Sequence, residues 1–122
     1  MKRVAINPSG AGSNTSPLSP GVAAGPFLFI SGQIGVAGGG VETQTEQVLE
    51  NLAAVLAAGE LGMDHVVKTT VFLTRAEDFA AMNTVYRRHF SEPFPTRSTV
   101  VVAALARPGL VVEIDAIALQ QK

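Results

Sequence analysis

Residues 43–73, TQTEQVLENLAAVLAAGELGMDHVVKTTVFL, change hydrophobic period part-way along, and that change decides the fold class. Val48, Leu49, Leu52, Val55 and Leu56 recur at three- and four-residue spacing, which predicts a helix with one apolar stripe. Thr43 and Glu46 have capping-box spacing, so the helix is expected to start there; Gly59 and Gly62 offer its C-terminal stop. Val66 to Leu73 is rich in Val and Thr and reads as a strand.

On the C-terminal side, Thr74 and Glu77 repeat the capping-box spacing before a second helical stripe at Phe79, Met82, Tyr86 and Phe90, expected to end near Ser91. Ser98 to Leu105 and Leu110 to Leu119 are apolar, β-branched runs separated by Ala106-Arg107-Pro108-Gly109, and read as a pair of neighbouring strands. On the N-terminal side, Val22 to Ala24 and Phe27 to Ile34 suggest a hairpin turning at Gly25-Pro26. Lys2 to Ile6 reads as a short first strand, and Asn7 to Pro20 as a long loop rich in Gly, Ser, Asn, Thr and Pro. Three strands, helix, strand, helix, two strands is not the regular alternation of a doubly wound parallel sheet. It predicts an α+β domain over residues 1–122, with one mixed sheet carrying both helices on one face. The other face holds too many apolar residues to meet water throughout, so oligomerisation through the sheet is expected.

The totals narrow the function. With 122 residues, 47% of them apolar and 16% charged, the chain supports one hydrophobic core and leaves few charges for a solvated surface. Its formal charge of −1, without a basic block, argues against a nucleic-acid partner. Met1-Lys2-Arg3 is followed by Asn7, Pro8, Ser9 and Gly10 before any apolar stretch forms, and no later run is long enough to span a bilayer. No membrane partner and a cytoplasmic location are expected. The absence of cysteine removes disulfides and thiolate chemistry, and His65 and His89 lack any metal-ligand spacing, so no metal site is expected. Gly10-Ala11-Gly12 lacks the third glycine of a dinucleotide site, and Ser31 is not framed as a hydrolase nucleophile.

Arg97 stands out because it enters an apolar strand directly after the proline-bearing Phe94-Pro95-Thr96. A guanidinium at a strand mouth can grip a carboxylate through two parallel hydrogen bonds, though composition alone favours an ordinary surface ion pair. Glu113 and Asp115 lie two apart, so strand alternation puts both on one face with Val111 and Ile117, opposite Val112, Ile114 and Ala116. That face is either simply solvated, with charges that discourage edge pairing, or supplies a water-orienting base or a partner for Arg97. Ser31-Gly32-Gln33 ends an apolar strand with groups able to hold a ligand or to make a tight turn, and Asn83 reads as a polar residue on the exposed side of the second helix.

Phe27-Leu28-Phe29-Ile30-Ser31-Gly32-Gln33-Ile34, Pro95-Thr96-Arg97-Ser98 and Val112-Glu113-Ile114-Asp115-Ala116-Ile117-Ala118, in that order, resemble the signature segments of the RidA/YjgF family. Asn51-Leu52, Lys68 to Leu73 and Met82 to Tyr86 also fall where that family has similar segments. The resemblance implies a chorismate-mutase-like fold, a homotrimer with inward-facing sheets and sites between subunits. It also implies hydrolysis of 2-imino and enamine acids, released by pyridoxal-phosphate enzymes, to 2-keto acids and ammonia, without a cofactor. By position, Arg97 matches the carboxylate-binding arginine and Glu113 the acid that serves the attacking water; Gly32 and Thr99 would hold substrate and water through backbone groups, with Ser31 and Asn83 lining the cleft. Two positions depart from the pattern. Leu18 stands where many members have a substrate-contacting Tyr, and Thr99 where many have Cys, so substrate preference is open and a thiol switch is absent. The alternatives are a non-catalytic trimer that binds a small carboxylate or regulates a partner in the same cleft, and a purely structural trimer in which Arg97 makes an interface ion pair.

Overall fold

Strand alternation sets the layers. In the computed structural model, which describes residues 2–8 and 16–120, the strand Val66–Leu73 buries Val66, Thr69, Val71 and Leu73 and turns Lys68, Thr70 and Phe72 the other way. Around it the chain forms β1 (Arg3–Ile6), β2 (Gly21–Ala24), β3 (Phe27–Ile34), α1 (Val41–Ala58), β4 (Val66–Leu73), α2 (Phe79–Arg87), β5 (Thr96–Val101) and β6 (Val112–Leu119). The six strands make one mixed sheet in the order β1-β2-β3-β6-β4-β5. Among these pairs β4 and β5 run parallel and the rest antiparallel. Part of the expected Asn7 to Pro20 loop, residues 9–15, lies outside the described residues.

Both helices contribute to one core. Val48, Leu49, Leu52, Val55 and Leu56 of α1 and Met82 and Tyr86 of α2 pack with Leu28, Ile30, Val71, Leu73, Val112, Ile114, Ala116 and Ala118 of the sheet. This is the α+β arrangement expected. The opposite sheet face carries Phe27 and Phe29, both exposed, beside half-buried Ile117, Glu113 and Asp115.

Strand order departs from expectation at β5 and β6, which are not neighbours. Both flank β4, with β6 between β3 and β4. The link between them crosses the C-terminal end of β4, where Val102 N–H donates to the Leu73 carbonyl at 2.8 Å and Thr74 N–H to the Val111 carbonyl at 3.2 Å. The eight-residue β6 buries Val112, Ile114, Ala116 and Ala118 beneath α1, which favours the central place; β5 stops at Val101 instead of reaching Leu105 and takes the edge.

Neither capping box forms. Helix α1 starts at Val41 behind an extended Gly40, without a side-chain cap, so Thr43 sits inside its first turn. Burial of Val41 and Gln44 outweighs the cap. Thr74 and Glu77 likewise do not cap α2, which follows a 3-10 turn at Ala76–Asp78 and ends at Arg87. Phe90 still enters the core beyond the helix, with its ring centre 4.6 Å from that of Tyr86.

Gln44 has no solvent exposure and ties two loop segments, before α1 and before β6, to the helix. Its Nε2 donates to the carbonyls of Gly109 (3.0 Å) and Gly38 (3.3 Å), and its Oε1 accepts from Val111 N–H (2.9 Å). Gln44→Leu keeps the volume but strands these groups in a dry site. It is expected to cost about 3 kcal/mol in urea denaturation at fixed protein concentration.

Candidate functional site

Register places Arg97. In the parallel ladder Arg97 lies beside Thr69 and Thr99 beside Val71, so both point to the helix side of edge strand β5. There the Arg97 guanidinium carbon stands 4.8 Å from the centre of the Tyr86 ring and 5.6 Å from that of Phe79. The Tyr86 hydroxyl is bonded to Thr69 Oγ1 at 2.7 Å, which fixes the ring beneath the cation. Burial pushes the Tyr86 hydroxyl pKa up, partly offset by the Thr69 bond and the Arg97 charge, so the phenol stays neutral under its cation.

The ion pairs among the described residues are Asp64 with His65, Asp78 with Arg75 and Glu46 with His89. None involves Arg97, so the surface pairing favoured by composition does not form there. Instead the guanidinium opens on a cavity of about 230 Å³ lined by Asn83, Tyr86, Arg87, Phe94, Pro95 and Arg97. Asn83 is half-buried and belongs to the cavity wall rather than to the exposed side of the helix. Thr99 shares Arg97's face two residues on and is not among these lining residues.

A second cluster forms where β3 meets β6. The ladder pairs Ile30 with Ala116 and then Gln33 with Ile114, so Ser31 and Gly32 sit in an irregularity of the strand. The Glu113 carboxylate lies over the Gly32 Cα, where any Cβ would overlap it; the glycine is what admits the acid. Burial first, and the charge of Asp115 second, raise the Glu113 pKa above the ordinary carboxylate value. Ser31 is committed to the main chain: its Oγ donates to the Ser19 carbonyl (2.7 Å) and its N–H to the Pro20 carbonyl (2.9 Å). These bonds hold residues 19–20 beside the irregularity, with Leu18 exposed just before them.

Arg97 and Glu113 do not meet within one chain. Arg97 is on the helix side of β5 and Glu113 on the open side of β6, with β4 between them. On β4 their registers fall at Thr69 and Phe72, so two strand spacings and three residues put their Cα atoms about 14 Å apart on opposite faces. The described residues contain no group of three or more His, Asp or Glu side chains able to hold a metal. None of the described helices is long and apolar enough to cross a membrane.

Sequence reading missed Tyr86, Phe79, Phe94 and Arg87 as parts of the site. Tyr86 is the one tyrosine of the chain, and its place on an apolar stripe reads as core. The signal available was a hydroxyl on that stripe, which needs a partner when buried.

Residues 11–120 match the protein-family model described as Endoribonuclease L-PSP. The chain belongs to the RidA/YjgF family. It is 47% identical to protein DfrA of Myxococcus xanthus over 98% of this chain and 97% of that one. It is also 36% identical to the human 2-iminobutanoate/2-iminopropanoate deaminase over 98% of this chain and 91% of that protein. Among solved RidA/YjgF structures, RidA from an Antarctic Psychrobacter superposes with a TM-score of 0.87 at 38% identity, covering 95% of this chain and 98% of that one. Escherichia coli TdcF with bound serine gives 0.87 at 35% identity, covering 97% and 99%.

Proposed function

We propose that this protein hydrolyses small 2-imino acids to 2-keto acids and ammonia, in clefts between the subunits of a homotrimer. The carrying observation is Arg97: a half-buried cation on the wall of a small cavity, without a carboxylate partner among the described residues. The 36% identity to a named imine deaminase over nearly the whole chain supports the reaction class.

Arg97 would hold the substrate carboxylate in a two-point grip, and its aromatic supports keep the guanidinium plane in place. Glu113 lies too far away in the same chain, so the acid that completes the site is Glu113 of the neighbouring copy. The exposed Phe27 and Phe29 on Glu113's side of the sheet give a second copy apolar surface to cover. Glu113 takes a proton from water as its oxygen adds to C2 of the protonated imine, forming a carbinolamine. Glu113 passes that proton to nitrogen and takes the carbinolamine hydroxyl proton as the C–N bond breaks; the C2 carbonyl forms, and the departing ammonia carries the proton away as ammonium. One water is consumed and no electrons change hands, so the step itself requires no redox cofactor. Gly32 and Thr99 contribute backbone groups, Asn83 an amide at the cavity wall, Ser31 holds the strand irregularity, and Leu18 adds an apolar wall.

A binding-only role is the second reading, favoured by the TdcF structure, which holds serine, an amino acid rather than an imine. The test generates 2-iminobutanoate with an amino-acid oxidase and traps the survivor with semicarbazide. Catalysis predicts that the wild-type protein suppresses trapping and Arg97→Ala does not. Equal trapping by both, with Arg97-dependent binding of 2-oxobutanoate, selects the binding-only reading.

A further inference from the structure

The cavity below Arg97 has a second cation that the reaction above does not use. Arg87, in the last turn of α2, lines the same cavity of about 230 Å³, and its guanidinium carbon lies 5.6 Å from the centre of the Phe94 ring. Arg97 is seated in the same manner on Tyr86 and Phe79. Each cation thus has an aromatic support that orients it. Neither has a carboxylate partner among the described residues, whose ion pairs engage Arg75, His65 and His89.

Two guanidinium groups facing one small cavity repel each other, and an acid with two negative groups relieves that repulsion where a monoanion satisfies only one. We propose that Arg87 is a specificity-determining residue that turns this site toward dianionic acids. The substrate class is the four- and five-carbon 2-imino dicarboxylates, with the 1-carboxylate on Arg97 and the distal one on Arg87. The inference rests on Arg97 being the carboxylate clamp. A merely solvated Arg87 complementing the C-terminus of α2 would give no such preference. Arg88, the next residue, is a matched control: it is absent from the cavity lining and sits where its charge is felt by Glu46 of α1.

The experiment compares kcat/KM for imines made by amino-acid oxidases from a dicarboxylic and a monocarboxylic amino acid, at low and high salt. Arg87→Gln is expected to lower the dicarboxylate-to-monocarboxylate ratio about five-fold at low salt, and less at high salt, as a partly exposed charge pair requires. Arg88→Gln is expected to leave the ratio unchanged. An unchanged ratio in Arg87→Gln, or an equal fall in Arg88→Gln, overturns the proposal. If the wild-type protein turns over neither imine, the deaminase reading fails by itself. The same ratio is then read from calorimetric binding of 2-oxoglutarate against 2-oxobutanoate, where loss of the preference in Arg87→Gln supports the second cation and its persistence refutes it.

Discussion

Arg97→Ala is expected to lower kcat/KM for 2-iminobutanoate by about a thousand-fold, because two charge-assisted hydrogen bonds to the substrate carboxylate are lost together. The cation is seated against Tyr86 and Phe79, so little of its side-chain freedom remains to be lost when substrate arrives. Arg97→Lys should recover only part of the loss, since an ammonium keeps the charge without the planar fork. The fold should survive both changes. Arg97 lies on edge strand β5, and the Thr69 to Tyr86 bond beneath it does not depend on the guanidinium. Circular dichroism and a urea midpoint near that of the wild type would establish this. A folded Arg97→Ala protein within three-fold of wild-type activity would refute the clamp.

The elements whose side chains obey one strong period were legible in the sequence. Val66 to Leu73 is rich in Val and Thr and forms the strand over those residues, alternating from Thr69 onward; the α1 stripe and the alternation through Glu113 and Asp115 were equally direct. The boundaries set by caps were not. Capping spacing at Thr43 and Thr74 weighs about 1 kcal/mol, less than the burial gained by starting α1 at Val41. Strand order was also hidden, because a short turn-like sequence suggests local pairing, whereas β6 gains more apolar contact between β3 and β4 than beside β5. The site was legible as a set of residues but not as a geometry. Alternation gives the face of Glu113 relative to its own strand; which side Arg97 takes depends on its parallel register with Thr69, a contact 28 positions away in sequence. The pairing of Gly32 with Glu113 depends in the same way on a strand irregularity.

That geometry makes the Glu113 prediction sharper than a loss of rate. Glu113→Gln is expected to lower kcat about a hundred-fold with a small change in KM, since the amide cannot accept the water's proton while Arg97 still binds the carboxylate. Gly32→Ala should reproduce much of this loss, because its methyl occupies the place of the carboxylate. The group must be ionised to act as base. Its pKa is raised by burial and by Asp115, so the rate should fall with decreasing pH through a value above that of an ordinary glutamate. Asp115→Asn removes the repelling charge, and should move that limb to lower pH. Glu113 and Arg97 of one chain lie on opposite faces of its sheet, so their loss should be repairable in trans. Arg97→Ala and Glu113→Gln chains are each nearly inactive alone. Unfolded and reassembled together in equal amounts, they should regain about a quarter of wild-type activity, because one cleft in four then joins an intact Arg97 to an intact Glu113 of the neighbour. A mixture no more active than its parents, with hybrid trimers confirmed by native mass spectrometry, would mean that the two residues do not share a cleft between subunits.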